Sequence, residues 1–217
     1  MLDLIAHRGM PRLARENTLA SFALALDAGA DGIELDVHVS RDGAVVVHHD
    51  ATLPSGERLV DLRARELAPR GIPTLDDVCE LVGTRAVLYV EAKGTQTAAS
   101  IIECLTAHQV RAAVHSFDWS IIRTVKGLAP GTSVGLLVDD GVPDIAAVTR
   151  QYAARDIWPA YDLIDASLVS AAHNAGARVI AWTVNEPDDA RRLLEVGVDG
   201  LCTDDVGALR AALRLAG

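Results

Sequence analysis

The sequence predicts an α/β chain folded as a single (β/α)8 barrel of the TIM-barrel type. Short apolar, β-branched runs alternate with Ala- and Leu-rich stretches of helical period, which is typical of parallel strands covered by helices. About eight such units fit into the 217 residues, within the range of a closed barrel. Half of the residues are hydrophobic, enough for a full core in one domain over residues 1–217. A doubly wound open sheet is the alternative.

Nine strands are predicted along the chain, one more than a barrel of eight needs. The doubtful one is Val45–His48, because the Asp42-Gly43 pair before it is a hairpin signal and no helix fits between it and the strand before it. We therefore expect the barrel to be irregular around its second and third strands. The predicted strands are Leu2–Ala6, Gly32–Val37, Val45–His48, Ala86–Glu91, Ala112–Ser116, Ser133–Val138, Asp156–Pro159, Arg178–Val184 and Gly200–Thr203.

Eight helices are predicted between these strands, and several are followed directly by glycine. Glycine is the residue that most readily adopts the left-handed conformation at a helix end. The charge-rich stretch RARELAPR, residues 63–70, is expected to be a solvated loop. The predicted helices are Thr18–Ala28, Leu75–Val82, Thr97–His108, Asp118–Leu128, Asp144–Ala154, Ala166–Ala175, Asp188–Val196 and Val206–Leu215.

Charge and composition exclude several classes of partner. A net charge of −10 argues against nucleic acid or an anionic membrane surface, although a local cation can still attract a small anionic substrate. The chain starts MLD and enters a strand-like run directly, and no run approaches roughly 18 apolar residues. We expect neither a signal peptide nor a stable membrane anchor. Cys79, Cys104 and Cys202 form no CxxC motif, which favours buried free thiols and a cytoplasmic location. The oligomeric state is left open.

Two carboxylates share one face of the second predicted strand. In "GIELDV", residues 32–37, Glu34 and Asp36 are two positions apart and therefore point the same way. The alternating apolar residues Ile33, Leu35 and Val37 take the other face, which would pack against helices. Two carboxylates in a barrel mouth repel each other and resist ionisation, a conflict that a divalent cation removes.

A third carboxylate follows in "LYVEAKG", residues 88–94, where Glu91 and Lys93 lie on one face of a strand end. Three carboxylates are hard oxygen ligands, which suit Mg²⁺ or Ca²⁺ better than zinc. Lys93 would supply a point charge for an oxyanion.

Two apolar runs stop at histidine, in "IAHRG" at residues 5–9 and in "AVVVHHD" at residues 44–50. Active sites of β/α barrels lie at the C-terminal ends of the strands, so His7 and His49 are expected to face one site as acid–base residues. His48 points away if its neighbour points in. The remaining histidines are interpreted as surface or hydrogen-bonded structural residues; these are His38, His48, His108, His115 and His173.

The ordered motifs resemble the glycerophosphodiester phosphodiesterase family over roughly residues 4–206. They are "AHRG", "ENTLASF", "GIELDVHVSRDGAVVVHHD", "VEAKG", "AWTVNEPDD" and "GVDGLCTDD". The resemblance implies a barrel of the phosphatidylinositol-phospholipase-C-like type and a Ca²⁺ or Mg²⁺ ion. It also implies hydrolysis of glycerophosphodiesters, which are deacylated phospholipids, to glycerol 3-phosphate and an alcohol.

Carried over by position, the resemblance assigns a role to each candidate residue. Glu16 is expected to brace the histidine turn, and Asn17 or Thr18 to cap the first helix. The implied site comprises His7 and His49 as the acid–base pair, Glu34, Asp36 and Glu91 as metal ligands, Arg8 and Lys93 on the phosphate, and Trp182 as an apolar wall.

One segment departs from the family pattern. Many members carry a T-L-x-R-T stretch and a long loop after the His-Asp pair, whereas this chain has "ATLPSGERLVDL" and a short passage to residue 73. The departure concerns the alcohol pocket more than the chemistry. Two other functions stay open: a lysophospholipase D-type enzyme, which needs an apolar groove for one acyl chain, and a catalytically silent barrel that only binds phosphodiesters.

Overall fold

Eight parallel strands close into a barrel in the computed structural model, which describes residues 2–94, 96–141 and 144–214. The closing contact is the pairing of the first and second strands, with His7 in register with Glu34. This contact makes the open-sheet alternative wrong and confirms the barrel. The strands are β1 (Asp3–His7), β2 (Gly32–Val39), β3 (Val45–Val47), β4 (Val87–Ala92), β5 (Ala112–Ser116), β6 (Ser133–Val138), β7 (Asp156–Pro159), β8 (Arg178–Ala181) and β9 (Gly200–Thr203).

The extra strand is not part of the closed barrel. β3 pairs antiparallel with the last residues of β2, placing Val37 opposite Val47 and Val39 opposite Val45. The barrel order is β1-β9-β8-β7-β6-β5-β4-β2, with β2 hydrogen-bonded directly to β4. The hairpin signal at Asp42-Gly43 therefore identified the source of the irregularity, and the barrel closes without β3.

Helices cover the outside of the barrel, and their bounds lie close to the predicted ones. The end predicted for the last helix, residue 215, lies outside the described residues. The helices are α1 (Leu19–Asp27), α2 (Ala64–Leu67), α3 (Leu75–Val82), α4 (Ala98–His108), α5 (Trp119–Leu128), α6 (Ile145–Tyr152), α7 (Ala166–Asn174), α8 (Pro187–Val196) and α9 (Val206–Leu213).

The prediction of a solvated loop over residues 63–70 is wrong. This stretch forms α2 and a 3₁₀ turn, Ala68–Arg70. The reason is Leu67, which is fully buried and anchors the stretch in a small separate core. The members of this core are Val46, Leu53, Leu59, Leu67 and Ile72.

The barrel wall separates two apolar layers. Ile33, Leu35 and Val37 are fully buried in the outer layer, between strands and helices, as the alternation in β2 predicts. The inner layer fills the barrel and includes Tyr89 and Trp158. Gly32 is required by this filling, since a Cβ there would lie 2.6 Å from the Tyr89 ring. The opposite face of β2 is thereby left to Glu34 and Asp36.

Side-chain caps fix where many helices begin. Thr74 accepts a hydrogen bond from the amide of Asp77 at the start of α3, and Asp205 does the same for Ala208 at the start of α9. Such caps satisfy amides that the first turn leaves unpaired. Among the described residues, none of the helices has the length and apolarity needed to cross a membrane.

Candidate active site

A cavity of about 220 Å³ opens inside the barrel at the C-terminal ends of the strands. Seven of the eight predicted site residues line it, and the eighth, Asp36, is fully buried beside it. The convergence expected of the chain's scattered motifs is therefore found. The lining residues are His7, Arg8, Glu34, His49, Glu91, Lys93, His115, Phe117, Leu137, Trp158, Trp182 and Cys202.

Three carboxylates meet at the floor of this cavity. Oxygens of Glu34, Asp36 and Glu91 all lie within 4.8 Å of one another, and all three residues are buried. They converge because β2 and β4 are parallel neighbours with Asp36 in register with Glu91. Burial, followed by the charge of Glu34, raises the pKa of Glu91 to about 7. Such a cluster favours a bound cation.

Two cationic side chains contact the same carboxylates. Lys93 Nζ lies 2.6 Å from Glu91 Oε1 and 3.0 Å from Asp36 Oδ1, and Arg8 Nε lies 3.1 Å from Asp36 Oδ2. Burial alone would raise the pKa of Asp36, but the charges of Lys93 and Arg8 hold it well below its usual range. Asn17 adds a hydrogen bond from Nδ2 to Asp36 Oδ2, 2.8 Å long. Asp36 is thus ionised and positions the side chains of both Arg8 and Lys93.

The turn after β1 brings Arg8 to the carboxylates. Arg8 has φ of 55° and Gly9 has φ of 88°, and the amide of Arg8 donates to the backbone oxygen of Glu34 at 2.9 Å. Gly9 cannot be replaced without movement, because its Cβ would lie 2.4 Å from Ser21 Oγ. Arg8 and Gly9 are thus two consecutive residues in the left-handed region, which glycine adopts at low cost. This turn places the Arg8 side chain beside the carboxylates.

The residues at the rim take more specific positions than the sequence indicated. Thr18, rather than Asn17, caps α1 by accepting from the amide of Ser21. Glu16 accepts a hydrogen bond from Arg8 Nη1 at 3.2 Å, so its brace acts on the arginine of the histidine turn.

His7 is held by a hydrogen-bonded chain that the sequence reasoning missed. Its Nδ1 lies 2.7 Å from Asp204 Oδ1, and Asn185 Nδ2 donates to Asp204 Oδ2 at 2.7 Å. Burial lowers the pKa of His7, but the hydrogen bond with Asp204 and the charge of Glu34 outweigh it and raise the pKa above its usual value. The position of Asp204 could have indicated this contact. It directly follows β9, which is the neighbour of β1 in a closed barrel.

His49 reaches the cavity from the passage that follows β3. Its Nδ1 lies 2.8 Å from Asp50 Oδ1, and its side chain is 39% exposed. His48 instead contacts the backbone oxygen of Asp50 and does not line the cavity. The structure therefore places His7 and His49 at one mouth, and their catalytic roles stay predictions.

The interpretation of His115 as a surface or hydrogen-bonded residue is wrong. His115 is 1% exposed and lines the cavity, and within the described part of the chain neither of its ring nitrogens has a hydrogen-bond partner. Its Nε2 lies 3.6 Å from Glu34 Oε1. The missed signal is the pairing of β4 with β5, which puts His115 in register with Glu91.

Aromatic side chains form the remaining wall of the cavity. The Trp182 indole N–H donates to the backbone oxygen of Trp158 at 2.9 Å, and the Phe117 ring packs edge-on against Trp182 with centroids 5.3 Å apart. Trp182 thus occupies the wall position that the sequence comparison implied for it.

The chain matches a known family over most of its length. A family model described as "Glycerophosphoryl diester phosphodiesterase family" matches residues 7–208. A glycerophosphodiester phosphodiesterase of Caldanaerobacter subterraneus is 33% identical over 99% of this chain and 98% of its own length.

Solved structures share the fold. A phosphodiesterase of Oleispira antarctica, in complex with the product sn-glycerol-3-phosphate, superposes with a TM-score of 0.90 at 26% identity, over 98% of this chain and 96% of that one. A glycerophosphodiester phosphodiesterase of Thermotoga maritima gives a TM-score of 0.88 at 26% identity, over 100% and 99%.

Proposed function

This chain belongs to the glycerophosphoryl diester phosphodiesterase family, and we propose that it hydrolyses glycerophosphodiesters to sn-glycerol 3-phosphate and an alcohol. The reaction depends on a divalent cation, Mg²⁺ or Ca²⁺, with His7 and His49 as the acid–base pair. One observation carries the proposal: three buried carboxylates, the cationic side chains of Arg8 and Lys93, and two histidines meet at a single cavity.

The residues at the cavity floor fit a hard divalent cation. Glu34, Asp36 and Glu91 supply only oxygen atoms, which Mg²⁺ and Ca²⁺ prefer. The raised pKa of Glu91 marks a carboxyl group whose charge its surroundings do not fully compensate. When bound, the cation would neutralise charge on the phosphoryl group and lower the pKa of a hydroxyl beside it.

Arg8 and Lys93 bind the phosphate in this proposal. Both line the cavity while also contacting Asp36. A guanidinium has five N–H donors and an ammonium has three, so each can hold Asp36 and still donate to a phosphoryl oxygen. Their charges are fixed before substrate arrives, which stabilises the negative charge that develops in the transition state.

The two histidines move the protons. Asp204 holds Nδ1 of His7, and Asp50 holds Nδ1 of His49, which leaves Nε2 of each ring to exchange a proton. One ring takes the proton of the attacking group, and the other protonates the leaving alkoxide. The attacking group is either water, which gives glycerol 3-phosphate directly, or a glycerol hydroxyl, which gives a cyclic phosphate that water then opens with the two rings in exchanged roles. Each transfer contributes about 10²- to 10⁴-fold to the rate.

The cavity size favours a compact substrate over a lysophospholipid. Its volume of about 220 Å³ is below the roughly 300–1,000 Å³ of sites for drug-sized ligands. A glycerophosphate group fits this space. A long acyl chain would have to leave it past His49, along a neighbouring pocket lined by charged side chains such as Arg15, Glu57 and Arg70, which is a poor surface for an apolar chain. The convergence of both histidines with all three carboxylates also argues against a catalytically silent barrel.

The test is release of glycerol 3-phosphate from a panel of glycerophosphodiesters and one lysophospholipid. Turnover should stop in EDTA and return with Mg²⁺, Ca²⁺ or Mn²⁺. His7→Ala and His49→Ala should each lower kcat by about 10²- to 10⁴-fold, while His48→Ala, the matched neighbour, should keep activity. Full activity in EDTA, or in His49→Ala, would contradict the mechanism. Preference for the lysophospholipid would contradict the substrate assignment.

A further inference from the structure

A second cluster of metal-ligating side chains lies on the outside of the barrel, between α3 and α4. Donor atoms of Asp76, Cys104 and His108 all lie within 4.8 Å of one another. His108 Nε2 and Asp76 Oδ1 are already in contact at 2.9 Å. None of these residues lines the cavity at the mouth, so the cluster is separate from the proposed active site.

Cys79, next to this cluster, is the candidate for a fourth donor. It lies one turn after Asp76 on α3, and its thiol is a neighbour of the Cys104 thiol. Asp76 and Cys79 are three positions apart on one helix, and Cys104 and His108 are four apart on the next. Both spacings put the paired side chains on one helix face, and the two faces meet where α3 packs on α4.

We propose that Asp76, Cys79, Cys104 and His108 form a binding site for a thiophilic divalent cation of the zinc class. Two thiolates, an imidazole and a carboxylate are a donor set typical of tetrahedral zinc. The hard ions favoured at the mouth avoid sulfur ligands, so the two sites select different metals.

The geometry needs only small side-chain movements to hold such an ion. Zinc bonds of about 2.0–2.3 Å put tetrahedral donors roughly 3.5 Å apart. The separations among Asp76, Cys104 and His108, from 2.9 Å to at most 4.8 Å, bracket this value, and the Cys79 thiol has to move toward them. Cys79 and Cys104 are buried, whereas the Asp76 side chain is 56% exposed, which gives the ion a path from solvent.

The carboxylates around the cluster favour a cation. The charge of Glu80 adds to that of Asp76 around His108. A divalent cation at this point would therefore enter a site of negative potential.

A bound ion would join the two helices that flank β4 along the chain. α3 immediately precedes β4 and α4 follows it, and β4 carries Glu91. The site is therefore a structural clamp on the outer layer, and it should stabilise the fold without taking part in turnover.

Cobalt absorption separates this site from the mouth. The full-length, reduced protein is titrated with Co²⁺, and wild type should develop a thiolate-to-cobalt charge-transfer band that saturates at a single equivalent. The three carboxylates at the mouth cannot give this band. Cys104→Ser should abolish it, and Cys79→Ser and His108→Ala should weaken it. Cys202→Ala should leave it unchanged, which controls for the cysteine beside the mouth.

Thermal unfolding supplies a second measurement. Zinc at 100 times its Kd should raise the Tm of wild type by about 5–10 °C, and Cys104→Ser should lose most of this shift. His173→Ala is the matched control, because His173 makes a similar helix-surface pair with Asp199 at 2.8 Å and should keep the shift. Cys104→Ser should also retain wild-type turnover with Mg²⁺ or Ca²⁺.

Three results would overturn the proposal. One is absence of the charge-transfer band in reduced wild-type protein. Another is a band that persists in Cys104→Ser or disappears in Cys202→Ala. The third is formation of a Cys79–Cys104 disulfide under mild oxidation with no metal bound by the reduced form, which would make the pair a redox site. If Cys104→Ser does not fold, His108→Ala on the helix surface provides the same comparison.

Discussion

The mouth of the barrel has two unlike halves. The polar half comes from the three adjacent strands β1, β2 and β4, the turns that follow them and the passage after β3. It consists of His7, Arg8, Glu34, Asp36, His49, Glu91 and Lys93. The apolar half comes from β5 to β9 and consists of His115, Phe117, Leu137, Trp158, Trp182 and Cys202. Three neighbouring strands thus concentrate the charge, while the others supply a wall that excludes water. We expect changes in the polar half to lower turnover, and changes in the apolar half to alter binding or stability.

The largest effect is expected from Asp36, at the centre of the polar half. Asp36→Asn removes the charge that positions both Arg8 and Lys93 and one carboxylate from the proposed metal set. We predict a loss in kcat/KM of more than about 10³-fold, measured as glycerol 3-phosphate release with saturating cation.

Asp156→Asn is the matched control for this prediction. Asp156 is equally buried, but its cationic partners, Arg155 and Arg178, do not line the cavity. Its loss should lower the free energy of unfolding by about 3–5 kcal/mol while folded protein keeps its kcat. Equal losses of kcat in both variants would mean that Asp36 acts through stability alone.

A smaller effect is expected from Asp204, which connects the apolar strand β9 to His7. Asp204→Asn removes the charge of Asp204 and weakens the hydrogen bond, both of which raise the pKa of His7. That pKa should fall, so the limb of the kcat/KM profile set by His7 should move to lower pH. The maximum should drop by about 10²-fold, the lower end of what one proton transfer contributes. An unshifted profile would show that Asp204 does not govern His7.

Binding rather than turnover should respond to Trp182 in the apolar half. Trp182→Ala removes the wall that packs against Phe117, and we predict a rise in KM of about tenfold with kcat nearly unchanged. Trp119→Ala is the control, since Trp119 packs on Tyr152 outside the cavity. A fall in kcat with constant KM would place Trp182 in the chemistry instead.

The smallest effect concerns His115, the polar exception in the apolar half. Both of its ring nitrogens are buried and lack hydrogen-bond partners among the described residues. An unsatisfied buried polar group costs about 1–3 kcal/mol, so His115→Leu should raise the free energy of unfolding by an amount up to this range. Urea denaturation without added metal measures it; destabilisation would indicate that the imidazole has a stabilising role beside Glu34.

The sequence predicted the polar half well because each of its residues is local to one strand. Alternation in "GIELDV" alone separates Glu34 and Asp36 from the buried face, and "LYVEAKG" does the same for Glu91 and Lys93. The strand count also predicted the barrel, and the Asp-Gly pair predicted its one irregular place.

What the sequence reasoning missed depends on which strands become neighbours. Asp204 matters because closure brings β9 beside β1, nearly two hundred residues away along the chain. His115 matters because β5 lies beside β4. The helix at residues 64–67 forms because Leu67 packs against buried apolar side chains from the rest of the small core. Each of these facts is a product of tertiary contacts rather than of local pattern.

The pairing of β2 directly with β4 leaves the whole excursion between them, residues 40–86, outside the closed ring of strands. Its first part has its own small core around Leu53 and Leu59 and brings His49 to the rim. The part before α3, which packs around this separate core, can therefore change in length while the eight barrel strands keep their positions. Related barrels can therefore differ in this segment at the rim, and a protein engineer can exchange the segment between them.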